Sequence, residues 1–166
     1  MKQHEKREDL AGEHVFGDAG QIILFVIFLA VWITDSFFMR YSTFLSGYIS
    51  LWVKIPFAIA VLCIGGYLAK TSHDIIFKEI RKEPSVVDRG VFGRVRHPLY
   101  LAAILFYLGM LLFTFSIIAG IVFIMIIVFY NYIARYEERL LIEKFGEEYE
   151  EYMKRVPRWI PGSGSS

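Results

Sequence analysis

Gly90-Val91-Phe92-Gly93-Arg94-Val95-Arg96-His97-Pro98-Leu99-Tyr100 closes a polar loop and opens a long apolar run, which gives out at Glu137-Glu138. The run is made of Leu99 to Phe113 and Ser116 to Ala134, separated by a break around Thr114 so short that only an antiparallel hairpin can join them. Both polar clusters therefore stand at the same membrane surface. This hairpin decides the fold class, which is an all-α integral membrane protein.

Upstream, Gly20 to Met39 is a first span, because about 20 apolar residues rising about 1.5 Å each cross a hydrocarbon core of roughly 30 Å. Asp35 near its end is placed at the interface beside Ser36, the alternative being a polar cavity. Arg40 to Gly47 make a short turn, and Tyr48 to Leu68 form a second span with Trp52 at interfacial depth and a kink expected at Pro56. From Lys70 the chain turns polar. Thr71-Ser72-His73-Asp74 leads into Ile75 to Lys82, patterned as a short interfacial helix, which Pro84 stops; Ser85 to Gly90 should be extended and end in a turn. After Arg135 comes a charged amphipathic helix, Glu137 to Lys154, interrupted at Gly146 and closed by Pro157.

The expected architecture is thus four transmembrane helices, an interfacial segment and an amphipathic C-terminal helix over the polar clusters. Residues 1–161 read as one domain and residues 162–166 as a flexible tail. Orientation follows from basic residues. Lys70, Lys78, Arg81, Lys82, Arg89, Arg94 and Arg96 precede the hairpin and Arg135, Arg139, Lys144, Lys154, Arg155 and Arg158 follow it, against only Arg40 and Lys54 in the other connection. The positive-inside rule then puts both termini and the polar clusters in the cytoplasm.

Composition agrees with a membrane protein, at 55% hydrophobic residues over 166 positions. A net charge of +1 offers no basic field for nucleic acid. The mixed charges of residues 1–19 argue against a cleaved signal peptide. Cys63, the sole cysteine, lies in an apolar run, which excludes an intramolecular disulfide and a cysteine zinc cluster and suits a small hydrophobe.

Pro98 needs no N–H partner in the first turn of a helix, so a helix can begin there with His97 at its entry. The open N–H groups of that turn suit an anion such as a carboxylate. Arg96 and His97 read equally well as basic interfacial anchors. Glu137 and Glu138 point about 100° apart on a helix, so one can face the bundle and accept hydrogen bonds from an ammonium group. A helix start and an inward acid would together suit a zwitterion. The plainer reading is a solvated face, with Glu138 paired to Arg135.

Gly-Val-Phe-x-x-Val-Arg-His-Pro-x-Tyr, followed after a hairpin by Glu-Glu-x-Leu-Leu-x-x-x-Phe-Gly-x-x-Tyr-x-x-Tyr and then Val156-Pro157-Arg158, resembles the isoprenylcysteine carboxyl methyltransferases and their phospholipid methyltransferase relatives, over roughly residues 70–160. The resemblance implies S-adenosylmethionine at the cytoplasmic ends of the last two spans. Carried over by position, Pro84, Ser85, Val86, Val87, Phe92, His97, Pro98, Leu99 and Tyr100 would contact it, with Glu137 the nearest acid. The chain departs from the pattern at Ile133, where the isoprenylcysteine enzymes carry an arginine placed to meet the substrate carboxylate; Arg135 lies two residues away on a different helix face.

Methyl transfer would then be a direct in-line displacement onto an acceptor presented from the bilayer, with no metal and no covalent enzyme intermediate. The acceptor is lipophilic or prenylated: a lipid or prenyl carboxylate, a lipid amine or a hydrophobic thiol. Only an amine or thiol would need a base, for which His73, Asp74, Glu79 and Asp35 are reserve candidates; His73, Arg135 and Glu138 stand as the candidate catalytic residues. Two other classes compete. One is an NADPH-dependent sterol-type membrane reductase, which shares a similar hairpin but for which this chain has no glycine-rich phosphate loop. The other is a non-enzymatic membrane scaffold.

Overall fold

A computed structural model describes residues 15–77 and 85–160. Among these residues all regular structure is helical: α1 (Val15–Ile33), α2 (Leu51–Phe77), α3 (Pro98–Thr114), α4 (Ile117–Phe145) and α5 (Glu147–Arg155). A π-helical turn, Thr34–Met39, extends α1, and short 3₁₀ turns occupy Phe44–Tyr48 and Gly90–Gly93. Three stretches are long and apolar enough to cross a membrane, Ala19–Met39, Leu51–Ile76 and Ile117–Phe145. Pro98–Thr114 is equally apolar in character but shorter, at 17 residues.

α3 is the central helix. α2 packs along one side of it, while α1 and α4 pack on each other and close over the opposite side. The α2 contact stripe carries Ala58, Val61 and Gly65, the spacing that keeps one helical face turned inward. Small residues let the backbones approach. A Cβ at Gly109 would lie 2.5 Å from Leu62 Cδ2, and one at Gly65 would lie 3.2 Å from the Ala102 carbonyl oxygen. Across α1 the contact is aromatic, with Phe28 edge-on to Tyr107 at 4.9 Å. Outward faces stay apolar and exposed, among them Ile22, Phe57, Ile64, Ile121 and Val128, as a lipid-facing surface requires.

Two boundaries differ from the sequence expectation. α2 continues without interruption through Lys70 to Phe77, so the start of the expected interfacial helix belongs to the second span's own helix. The remainder of that segment, with Glu79 and Pro84, lies outside the described residues. α4 likewise continues past Arg135 to Phe145, because its backbone hydrogen bonds run on while its sequence changes from apolar to charged. The break at Gly146 is where expected: this residue has φ +56°, a conformation glycine adopts without a Cβ penalty.

Asp35 stands at the end of the first span, beside Ser36, and its side chain is buried there. Its Oδ1 accepts from the Tyr41 and Ser42 N–H groups, each at 3.0 Å, and its Oδ2 from the Ser42 and Ser116 hydroxyls, each at 2.5 Å. Ser116 also caps α4, accepting from Ala119 N–H at 3.1 Å. The carboxylate thus ties the end of α1 to the turn between α3 and α4. Burial is tolerated because hydrogen bonds replace the water it loses. From Ser116 to Glu137 along α4 the rise is about 30 Å, so this clasp and the polar clusters mark opposite membrane surfaces.

Candidate active site

α3 begins at Pro98, with His97 as its N-cap residue at φ −121° and ψ 63°. Proline at the first helical position costs no hydrogen bond, which is why the helix starts there. The preceding chain is held from two sides. Arg96 N–H donates to the Pro157 carbonyl at 3.0 Å, and the Phe92 carbonyl accepts from the Tyr152 hydroxyl at 2.7 Å. The entry to α3 is thereby tied to α5 and to the segment after it.

The hairpin brings His97 and Tyr100 against the far part of α4. Its imidazole lies between the two acids, Nε2 at 3.2 Å from Glu138 Oε1 and Nδ1 at 3.6 Å from Glu137 Oε2. The Tyr100 hydroxyl donates to Glu137 Oε1. The His97 and Tyr100 rings stack almost parallel, at 6° and 5.6 Å, and Trp159 lies 5.9 Å from the imidazole. These contacts lock the imidazole between an aromatic face and two carboxylates.

The acids differ in kind. Glu138 is 3% exposed, whereas the Glu137 side chain keeps 24% of its surface. Arg158 grips Glu138 through a fork, Nε at 3.0 Å from Oε1 and Nη2 at 2.5 Å from Oε2. Arg96 Nε approaches the same carboxylate at 3.4 Å. The hydrogen bond to Glu138 raises Arg158 above its ordinary value, so its charge persists at any physiological pH. Arg158 Nη1 and Trp159 Nε1 both reach Asn131 Oδ1, at 3.3 and 3.4 Å. Glu138 is therefore the inward acid, paired with His97 and Arg158 and not with Arg135, which is exposed.

Of the remaining expected cofactor positions, all but Pro84 fall among the described residues. Pro98 is buried, and Leu99, Phe92 and Val87 are half-buried. Val86 packs on the Tyr149, Tyr152 and Val156 cluster and its N–H reaches Glu148 Oε1 at 3.4 Å. Ser85 is exposed. Of the reserve bases, Asp35 lies at the opposite surface, His73 and Asp74 stand on the last turns of α2, and Glu79 is outside the described residues. Ile133, at the position of the expected arginine, is buried.

Three participants escaped the sequence reading: Asn131, Arg158 and Trp159. A carboxamide within an otherwise apolar span was the available signal for Asn131. For Arg158 the signal was its place in the Val156-Pro157-Arg158 motif. Chemically, the site offers a partly exposed carboxylate, a helix N-terminus, a buried guanidinium and a wall of aromatic rings. That set fits a ligand carrying an ammonium, a carboxylate and a flat heteroaromatic group.

The phospholipid methyltransferase family profile matches residues 43–148, more than half of the chain. Protein-S-isoprenylcysteine O-methyltransferase of Schizosaccharomyces pombe is 29% identical over 133 residues, which are 74% of this chain and 56% of that protein. Protein-S-isoprenylcysteine O-methyltransferase B of Arabidopsis thaliana is 28% identical over 144 residues, 80% of this chain and 72% of that one. The match thus spans little more than half of the fission-yeast relative.

Proposed function

Because the chain belongs to the phospholipid methyltransferase family, we propose that it transfers a methyl group from S-adenosylmethionine to a lipophilic acceptor held in the bilayer. The observation that carries this reading is the pairing of the α3 entry with Glu137, which joins both halves of the motif in one cluster. The relatives' names favour a prenylcysteine-like carboxylate as acceptor. Family membership also sets methyl transfer ahead of the reductase and scaffold readings.

When bound, the cofactor supplies a methyl group already activated by its sulfonium. The chain's own work is then to bind, orient and exclude water. Glu137 and Tyr100 accept and steady an ammonium, the first turn of α3 receives a carboxylate, and Trp159 with the His97–Tyr100 stack encloses the cluster. A carboxylate acceptor arrives without a proton to lose, so no side chain need act as base. With Ile133 apolar and buried, the acceptor's charged end must be met by another group, and its apolar tail is held by the bilayer-facing helices.

In this reading α3 is a fourth crossing, slightly short because its far turn is drawn inward by Asp35, and the clusters face the cytoplasm. Epitope tags at either terminus should be reachable from the cytoplasmic side alone. The activity is tested by titrating detergent-purified protein calorimetrically with S-adenosylhomocysteine, then adding methyl-labelled S-adenosylmethionine and N-acetyl-S-farnesylcysteine. Micromolar binding and label in the farnesylated product are expected. No binding at high micromolar ligand refutes the cofactor assignment, and binding without labelled product refutes the acceptor class.

A further inference from the structure

Arg96 is 7% exposed, and neither its Nε nor its Nη1 has a hydrogen-bond acceptor among the described residues. Buried guanidinium groups are costly to desolvate and are ordinarily matched by acceptors. The nearest carboxylate does not serve. Glu138 Oε1 already meets His97 Nε2 at 3.2 Å and Arg158 Nε at 3.0 Å, and Oε2 meets Arg158 Nη2 at 2.5 Å, while Arg96 Nε stands off at 3.4 Å without hydrogen-bond geometry.

Charge gives the same result. Two guanidinium groups, Arg96 and Arg158, converge on the single carboxylate of Glu138, and the other acid of the cluster, Glu137, stands on the far side of the imidazole, so Glu138 alone cannot balance both cations. The N-terminus of α3, one residue away, adds further positive potential. Arg96 is also held in place, its backbone N–H bonded to the Pro157 carbonyl at 3.0 Å. Glu137 lies at the other end of the imidazole, on the Nδ1 side, and Arg96 shares the Nε2 side with Glu138. An anion acceptor and a cation acceptor therefore flank one ring.

We propose that Arg96 is the oxyanion-binding group of this site and receives the α-carboxylate of the cofactor's methionine moiety, while Glu137 takes the ammonium. The assignment rests on the cofactor reading above and deepens it. It explains why a guanidinium is buried where Glu138 is already neutralised by Arg158. It also explains why the segment after α5 folds back onto Arg96, since that contact fixes the guanidinium before the ligand arrives.

The test compares S-adenosylhomocysteine with its decarboxylated analogue by calorimetry on the purified full-length protein. A charge-assisted pair predicts that the wild type prefers the carboxylated ligand by about ten- to a hundredfold. Arg96→Gln should lose that preference and bind the decarboxylated analogue as the wild type does. Arg96→Lys, which keeps the charge without the fork, should retain an intermediate preference and serves as the deciding variant should Arg96→Gln not fold. Equal affinity of the wild type for both ligands, as expected when water or a lipid phosphate meets Arg96 instead, overturns the assignment while leaving the cofactor reading standing. Full preference retained in a folded Arg96 variant overturns it as well. Failure of the wild type to bind either ligand removes the cofactor reading and this assignment with it.

Discussion

Glu137 and Glu138 are neighbours of the same chemistry with opposite duties. Glu138 is consumed by Arg158 and His97, with Arg96 also within its field, so removing it leaves two guanidinium groups without their nearest counter-charge. Glu138→Ala should cost about 3–5 kcal/mol in unfolding free energy, the penalty typical of breaking a buried ion pair by deleting one partner. Glu137 is partly exposed and touches His97 and Tyr100. Glu137→Gln should cost no more than about 1 kcal/mol yet weaken S-adenosylhomocysteine binding at least tenfold. Denaturation in mild detergent beside calorimetry separates the two, and an equal loss of stability in both variants would contradict this division of roles.

Among the elements, the α2–α3 contact is set by small residues. Gly109→Val would push a side chain into Leu62, whose Cγ already lies 2.6 Å from the position of an added Cβ, and should destabilise the protein by about 1–3 kcal/mol. A thermal midpoint equal to wild type would show that the helices can separate freely. The α5 element carries a different load. Burial pushes the Tyr149 and Tyr152 hydroxyls above their ordinary value of 10.0, with nearby charges as smaller contributions. Unfolded phenols ionise at about pH 10 while these remain protonated when folded. Stability should therefore be level below that pH and fall as the pH rises beyond it. Tyr149→Phe should flatten the alkaline fall, as followed by unfolding midpoints across pH 8 to pH 11.

For the whole molecule, two polar clusters about 30 Å apart hold the ends of the bundle. The Asp35 clasp joins residues from α1, the following turn and the α3–α4 turn, so its loss would loosen the bundle without touching the site. Asp35→Ala leaves two N–H groups and two hydroxyls without their acceptor and should cost at least about 2 kcal/mol. S-adenosylhomocysteine affinity measured below the unfolding midpoint should stay within about twofold of wild type. A large loss of affinity in the folded variant would mean that the clasp and the site are coupled through α4.

Local physics made several features legible in the amino-acid order. Runs of apolar residues specified membrane helices, Pro98 specified where α3 begins, Gly146 where α4 gives way to α5, and the spacing of His97-Pro98-Leu99-Tyr100 from Glu137-Glu138 specified which helix ends meet. Each depends on residues close in sequence or on the length of a helix. Which of two adjacent acids faces inward was decided otherwise, by Arg158 arriving from beyond α5 and by Arg96 and His97 arriving across the hairpin. Asp35 was likewise buried at its membrane surface by Ser42 and Ser116, the latter 81 residues away. A helix records the direction of each side chain but not what will stand opposite it, and so the partners of these charges were settled only when the helices packed.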